Sequence, residues 1–295
     1  MIFIFQFTRI PGSLIGLAIG DSFGAPFEGS INIGLIPERM TGGGPFQTRR
    51  GEYTDDTLQM IALAETLITC HGFQAIDFVT RLLRIYDTHP EYFGPTSRMV
   101  LERIRSGVPP EEAAILPGVA RARGGRTNGA VMRGAPIGIF YRPNEVLSVS
   151  RMAAAVTHSH PVAIACSGLV NQMISILCRG GSKETAFFRA LESCDNGEVR
   201  KRVAALSLAE IIPSLDALDT THAAITCFME ERTFREMIRR AVGYGGDTDT
   251  IAAITGALGG AFLGIGGIPQ HWISEIEGAG NILALEDAVW RAGAR

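Results

Sequence analysis

The sequence predicts an all-α protein built as one compact multi-helix domain. Three observations predict it. A dozen segments place apolar residues three and four positions apart, few runs alternate as strands do, and no linker, charge tract or composition break divides the 295 residues. At 46% hydrophobic the chain can bury a large core. The predicted domain spans 1–295, with 1–10 as an N-terminal extension.

Taken in order, the first helix is predicted over 12–24, where Gly12, Gly16, Gly20 and Gly24 recur every fourth residue. Glycine costs a helix about 1 kcal/mol relative to alanine. A ridge of glycines is useful where a second backbone comes close enough to need the space. The second helix, 55–70, starts within "YTDDTLQM". Thr54 reads as its N-cap, Asp55 and Asp56 lie in the first turn against the helix dipole, and Leu58, Ile61, Leu63 and Leu67 face the core. The breaker "THPEYFGP" separates helices over 73–87 and 97–106, and "ARGGRTNG" interrupts the chain before 145–157. The same periodicity marks 161–179, 184–194, 198–211, 221–230 and 233–242. Helix 248–264 carries a second ridge, Ala252, Gly256, Gly260 and Gly264, and "GIGGIP" separates it from a last helix over 281–292.

The net charge of −3 and pI near 6.1 exclude a nucleic-acid binder that relies on a broad basic surface. Arg98, Arg103, Arg105, Arg121, Arg123, Arg126 and Arg133 do bunch together, either as a solvated helix face or as a local site for a small anion. The five cysteines lack CxxC spacing and mostly stand among apolar neighbours, as small buried hydrophobes do in a reducing compartment. The opening "MIFIFQFTRIP" has no basic stretch ahead of its short apolar run, so it does not read as a signal peptide. The long uncharged stretch 251–269 is rich in glycine and directly follows Asp247 and Asp249, so it reads as a buried helix rather than a membrane span. The expectation is a cytoplasmic protein with no membrane or nucleic-acid partner.

Chemistry enters with a repeated composition. "YTDDT" and "GGDTDT" each set two aspartates and threonine hydroxyls at the entrance of an apolar helix. One such cluster serves as a cap; two of the same kind point elsewhere. Hard divalent cations take oxygen ligands, and four aspartates balance the charge of two such ions. Without metal, converging aspartates repel one another. The preferred reading is a two-metal site, and no His/Cys set has zinc spacing. "GGRTNGAVMRG", Gly124 to Gly134, offers backbone N–H groups and a helix start to a phosphate, with Arg126 and Arg133 nearby. "THSHP" puts His158 and His160 on a turn.

These motifs resemble the ADP-ribosylglycohydrolases. "GLAIGDSFGAPFEG", "MTGGG", "YTDDTLQMIALA", "TNGAVMR", "THSHP" and "GGDTDTIAAITGALGGA" stand in that family's order across nearly the whole chain. The resemblance implies an all-α fold with a dinuclear Mg²⁺ or Mn²⁺ centre. It also implies cleavage of ADP-ribose from a modified protein side chain, arginine first and serine second, or from a small conjugate such as O-acetyl-ADP-ribose. By motif the metal ligands are Thr54, Asp55, Asp56, Asp247, Asp249 and Thr250. Glu28 matches a glutamate near the scissile bond, and Glu28 or Asp56 would handle the proton. Gly124, Gly125, Arg126, Thr127, Asn128 and Gly129 match the loop that holds the diphosphate and distal ribose. His158 matches a substrate-contacting histidine, and Asp21 is expected behind the metal ligands.

One position departs from the pattern. Nitrogenase-reductase-type members carry an acid three residues before the loop asparagine, where this chain has Gly125. The motif therefore leaves the identity of the released side chain open. Two further classes share these acids: a catalytically silent ADP-ribose binder, and a two-metal phosphohydrolase cutting P–O rather than C–O.

Overall fold

Helices form where the spacing places them, and short ones fill the gaps. The computed structural model describes residues 10–31, 33–115 and 125–293. Along them run α1 (Ser13–Gly24), α2 (Asp55–Thr69), α3 (Ala75–Thr88), α4 (Pro95–Arg105), α5 (Pro110–Ala113), α6 (Gly129–Met132), α7 (Ala135–Phe140) and α8 (Pro143–Ala155). Then follow α9 (Pro161–Cys178), α10 (Lys183–Ser193), α11 (Gly197–Ala204), α12 (Ala217–Glu230), α13 (Phe234–Gly243), α14 (Thr248–Leu263), α15 (Gln270–Glu275) and α16 (Ala279–Gly293). Among the described residues no β-sheet forms, and strand-like pairing is limited to the isolated bridges Gly43–Thr48 and Thr127–Asp216.

The two small-residue ridges pack on each other. A Cβ added at Gly16 would lie 2.3 Å from the Gly256 carbonyl oxygen, one at Gly20 2.0 Å from that of Ala252, and one at Gly260 1.8 Å from that of Gly12. At the far end, a Cβ on Gly24 would meet the Asp249 Cα at 2.5 Å. The pairing runs antiparallel, so α1 ends where α14 begins. That geometry places the chain after Gly24 beside the second acidic cluster. Buried core side chains from α9, α12 and α13 surround the pair. A second apolar cluster, including Leu63, Phe78, Leu82, Phe93 and Leu101, supports α2, α3 and α4.

Three sequence expectations change. The segment 198–211 does not stay helical: α11 ends at Ala204, where Arg202 donates to the Glu210 carbonyl and the Ala205 carbonyl pairs with His222 Nε2. The helix predicted over 221–230 begins at Ala217, capped by the Asp216 side chain accepting from Leu218 N. The helices α5, α6, α7 and α15, of four or six residues, are too short for the apolar period to repeat. Pro161–Cys178 is long and apolar enough to cross a membrane, yet 78% of it is buried within the protein. Residues of the stretch 251–269 that lie in α14 are buried as expected, apart from Phe262 and Leu263.

Candidate active site

The first acidic pair is built from below. Asp21, fully buried on α1, accepts from the backbone N–H and the hydroxyl of Thr54, and from the same two groups of Thr57. Thr54 holds the N-cap position of α2 but makes no cap bond of its own; Asp21 caps the helix instead, from 33 residues away. This corrects the local capping expected from the sequence. With the N–H groups of Thr54 and Thr57 taken by Asp21, the Asp55 and Asp56 side chains are left for another role. Asp55 accepts from Gln59 Nε2 at 2.7 Å, and Gln59 in turn accepts from Arg133.

The second cluster rests on a turn only glycine makes easily. Gly245 and Gly246 have φ of +75° and +67°. Gly246 exchanges backbone hydrogen bonds with Gly29 and Ser30. The loop carrying Glu28 is thereby tied to the turn carrying Asp247 and Asp249. Ligand oxygens of Glu28, Asp247 and Asp249 lie within 4.8 Å of one another. Thr250 Oγ1 donates to Asp56 Oδ2 at 3.4 Å, which joins the two clusters.

The facing wall comes from the "RTNG" loop. Asn128 donates to Asp247 and to Thr220 through one amide nitrogen, leaving its carbonyl oxygen to accept from another group. Thr127 Oγ1 pairs with Thr96 and with His158 Nε2. His158 Nδ1 pairs with Thr157. Burial, then the charge of Arg133, holds His158 well below its usual pKa, so the ring is neutral. Gly129 packs against that ring: a Cβ there would meet His158 Cε1 at 2.8 Å.

Several expectations do not hold at this wall. The Arg126 side chain is held by ion pairs to Asp216 and Glu198 and does not line the cavity. The Gly125 N–H is directed at Thr96 Oγ1, 3.4 Å away. Arg133 is no anion site. It is buried and spends its donors on Gln59, Thr157 and the Ala153 carbonyl. Thr54 is buried behind the cavity rather than on its wall, its hydroxyl proton given to Asp21. Gly124, Arg121 and Arg123 lie outside the described residues.

The cavity, about 190 Å³, is lined by Glu28, Asp55, Asp56, Asp247, Asp249 and Thr250 on its acidic floor, with Thr127, Asn128, Gly129 and His158 opposite. Four of the acidic side chains carry perturbed acidities of one sign. Burial first, then the charge of Asp249, pushes Glu28 up to about 10 and raises Asp55 well above the carboxylate range. Asp56 and Asp247 are likewise raised, again chiefly by burial. Two oxygens, Glu28 Oε2 and Asp56 Oδ1, are buried without a hydrogen-bond partner. Unpaired buried anions are among the costliest groups a fold can hold. A hard oxygen-ligand set with orphaned atoms and mutual repulsion fits a divalent cation.

Sequence reasoning missed Phe46, Glu91, Tyr92 and Ser97, which also line this cavity. No motif marks them; "MTGGGPF" and "THPEYFGP" read only as breakers.

The fold and site define an all-α hydrolase with a carboxylate floor. The ADP-ribosylglycohydrolase family model matches residues 5–295, and the chain belongs to that family. It is 30% identical to an ADP-ribosylarginine hydrolase, Tri1, of Pseudomonas putida, over 94% of this chain and 76% of that one. It is 28% identical to the ADP-ribosyl-[dinitrogen reductase] glycohydrolase of Rhodospirillum rubrum, over 91% and 90%. It is also 26% identical to ADP-ribosylhydrolase ARH3 of Danio rerio, over 93% and 88%. A solved chain titled ADP-ribosylglycohydrolase-related protein complex superposes with a TM-score of 0.80 at 34% identity, covering 96% of both chains. The protein is an ADP-ribosylglycohydrolase.

Proposed function

We propose that this enzyme removes ADP-ribose from a modified protein side chain, arginine in preference to serine, by hydrolysing the bond at ribose C1″. The observation that carries the reading is the pair of orphaned buried oxygens, Glu28 Oε2 and Asp56 Oδ1, on a floor of converging carboxylates. Asp55, Asp56, Asp247 and Asp249, with Thr250, would hold two Mg²⁺ or Mn²⁺ ions. Such ions supply positive charge that orients ribose hydroxyls and acidifies water.

The chain's own residues do the rest. Asn128, held by Asp247 and Thr220, offers its free carbonyl oxygen to a hydroxyl donor of the distal ribose. Neutral His158 holds Thr127 in place on the wall of the cavity. As the C1″ bond breaks, positive charge grows on the ribose ring, and the adjacent carboxylates stabilise it. Glu28 and Asp56 are the two groups placed to take the proton from the attacking water. An O-acetyl-ADP-ribose hydrolase is the second reading, since the carboxylate floor would face the ribose that both substrates share.

Product analysis decides among these. With Mg²⁺ or Mn²⁺ present, peptides ADP-ribosylated on arginine or serine should yield free ADP-ribose. AMP would make the enzyme a phosphohydrolase instead. Release from O-acetyl-ADP-ribose alone would favour the small-conjugate reading. Binding without any product would leave a silent ADP-ribose receptor.

A further inference from the structure

Arg133 lines neither side of the cavity, yet hydrogen bonds join it to both. Its side chain is buried, with the guanidinium 5.2 Å from the centroid of the Phe78 ring. The acceptors it meets are all neutral: Gln59 Oε1 at 2.8 Å, Thr157 Oγ1 at 2.7 Å and the Ala153 carbonyl at 3.2 Å. A guanidinium can only donate, and that fixes what each partner does next. Gln59 accepts through its carbonyl oxygen, so its amide nitrogen is the group that donates to Asp55 Oδ2, at 2.7 Å. On the other arm Thr157 Oγ1 accepts, and its own proton needs a taker. The other group it meets among the described residues is His158 Nδ1, 2.7 Å away. Receiving that proton makes Nδ1 an acceptor. Because His158 is neutral, its ring proton then stands on Nε2, 2.9 Å from Thr127 Oγ1. Thr127 in turn donates to Thr96 Oγ1 at 2.9 Å. The opposite tautomer would aim two donors at Thr157 and leave its buried hydroxyl proton without an acceptor.

Both arms end at the cavity, one on Asp55 of the floor, the other on His158 and Thr127 of the facing wall. We propose that Arg133 is a positioning residue for the hydrolysis, whose donor fork turns the Gln59 amide to Asp55 and fixes His158 as its Nε2–H tautomer. On the floor side an amide, not a guanidinium, touches the carboxylate, so Asp55 is oriented without being neutralised. On the wall side Thr127 has given its proton to Thr96 and one lone pair to His158, which leaves it only an acceptor for a bound molecule. The carbonyl oxygen of Asn128, the next residue, also accepts, and two neighbouring acceptors suit ribose hydroxyls. The assignment rests on the glycohydrolase activity and is independent of which side chain carries the ADP-ribose.

Nitrogen-15 spectra of the histidine rings in the full-length enzyme test the tautomer directly, with His158 identified as the signal missing from His158→Gln. Near neutral pH the expected ring has a protonated Nε2 and a bare Nδ1. A protonated Nδ1, or a charged ring, overturns the proposal without any change at Arg133. Arg133→Met frees Thr157 to accept from the ring, so both tautomers should then be populated. Its kcat on whichever ADP-ribosylated peptide the wild type cleaves should fall about tenfold to a hundredfold, the range found when a partner behind a metal-holding carboxylate is lost. Arg133→Lys keeps the buried charge and most of the bulk but not the planar fork, so it should show the same mixing and a similar loss. A wild-type spectrum with wild-type kcat in Arg133→Lys would show that charge alone suffices, and overturns the fork. Lost activity with the single tautomer retained in both variants would leave Arg133 a packing residue and overturns the proposal too. If the wild type cleaves no ADP-ribosylated peptide, the spectra still decide how His158 is held, and it is the proposed function that fails.

Discussion

The α1–α14 pair ends in two buried carboxylate environments of opposite character. At one end Glu286, from α16, is wholly buried and accepts from the backbone N–H groups of Leu14 at 3.0 Å and Ile15 at 3.4 Å. Those donors are orphans of the first turn of α1, and the carboxylate replaces the missing side-chain cap. At the other end Glu28 and Asp56 each keep a buried oxygen with no partner and face other acids. The first carboxylate has donors aimed at it and completes a helix. The second set faces further acids and would be completed by the proposed cations. Burial alone does not mark a functional acid; the lack of built-in donors does.

Removing a floor carboxylate gives the largest expected effect. Asp249→Ala should cut turnover by roughly a thousandfold or more, because both substrate positioning and water activation depend on the proposed ions. It should also remove the rise in melting temperature that Mg²⁺ or Mn²⁺ produces in the wild-type enzyme. A metal-dependent shift that survives in this variant would break the contrast, since the floor would then not need its fourth aspartate.

Next in size is the contact that joins the two ends. Gly256→Leu should destabilise the fold by about 3 kcal/mol or prevent folding. The Cβ alone would lie 2.1 Å from the Gly16 carbonyl oxygen, and backbone cannot move aside as a flexible side chain does. Urea unfolding, beside the exposed substitution Ile76→Ala as a mild control, measures it. An unchanged midpoint would mean the close packing carries little energy.

Glu28→Gln probes the open end more gently. Glutamine keeps the shape and loses charge and basicity, so kcat should fall about ten- to a hundredfold. ADP-ribose affinity should stay within about twofold, since an interaction made mainly in the transition state leaves ground-state binding alone. A loss confined to affinity would move Glu28 from the chemistry to binding.

How much of this was legible in the sequence depends on whether the signal was local. Each aspartate pair sits with its glycines or threonines in a few adjacent residues, so the floor could be read directly. The glycine ridges were legible because a four-residue repeat survives in any single helix. Roles set by distant partners were not. Asp21 caps a helix 33 residues on, and Glu286 caps one 272 residues back from it; neither has a neighbouring signal. Arg126 and Arg133 looked like anion ligands because sequence shows charge but not direction. One turns to Asp216 and Glu198, the other into the core. Phe46 and Tyr92 stand in segments that read as breakers, and only the fold brings their rings together.

The smallest expected effect lies at the satisfied end and concerns pH. Burial pushes the Glu286 carboxyl up to about 8, against the lowering pull of the Ser13, Leu14 and Ile15 N–H groups. An unfolded glutamate titrates near 4.3. Between those values the folded protein binds the extra proton, so the slope of stability with pH is negative: the contribution is complete below the unfolded pKa and is lost as pH rises through the folded one. A protonated carboxyl still has lone pairs on both oxygens for Leu14 and Ile15, whereas glutamine turns one position into a donor facing a donor. Glu286→Gln should therefore cost about 1–2 kcal/mol near pH 5. That gap should narrow toward pH 8.5, as the wild-type carboxyl gives up its proton in a dry site. Unfolding at saturating metal keeps the floor carboxylates ionised throughout, so the difference between wild type and variant reports Glu286 alone. A constant gap across the range would show that Glu286 stays ionised in the fold, held by its three donors, and the contrast between the two ends would then be one of donors only.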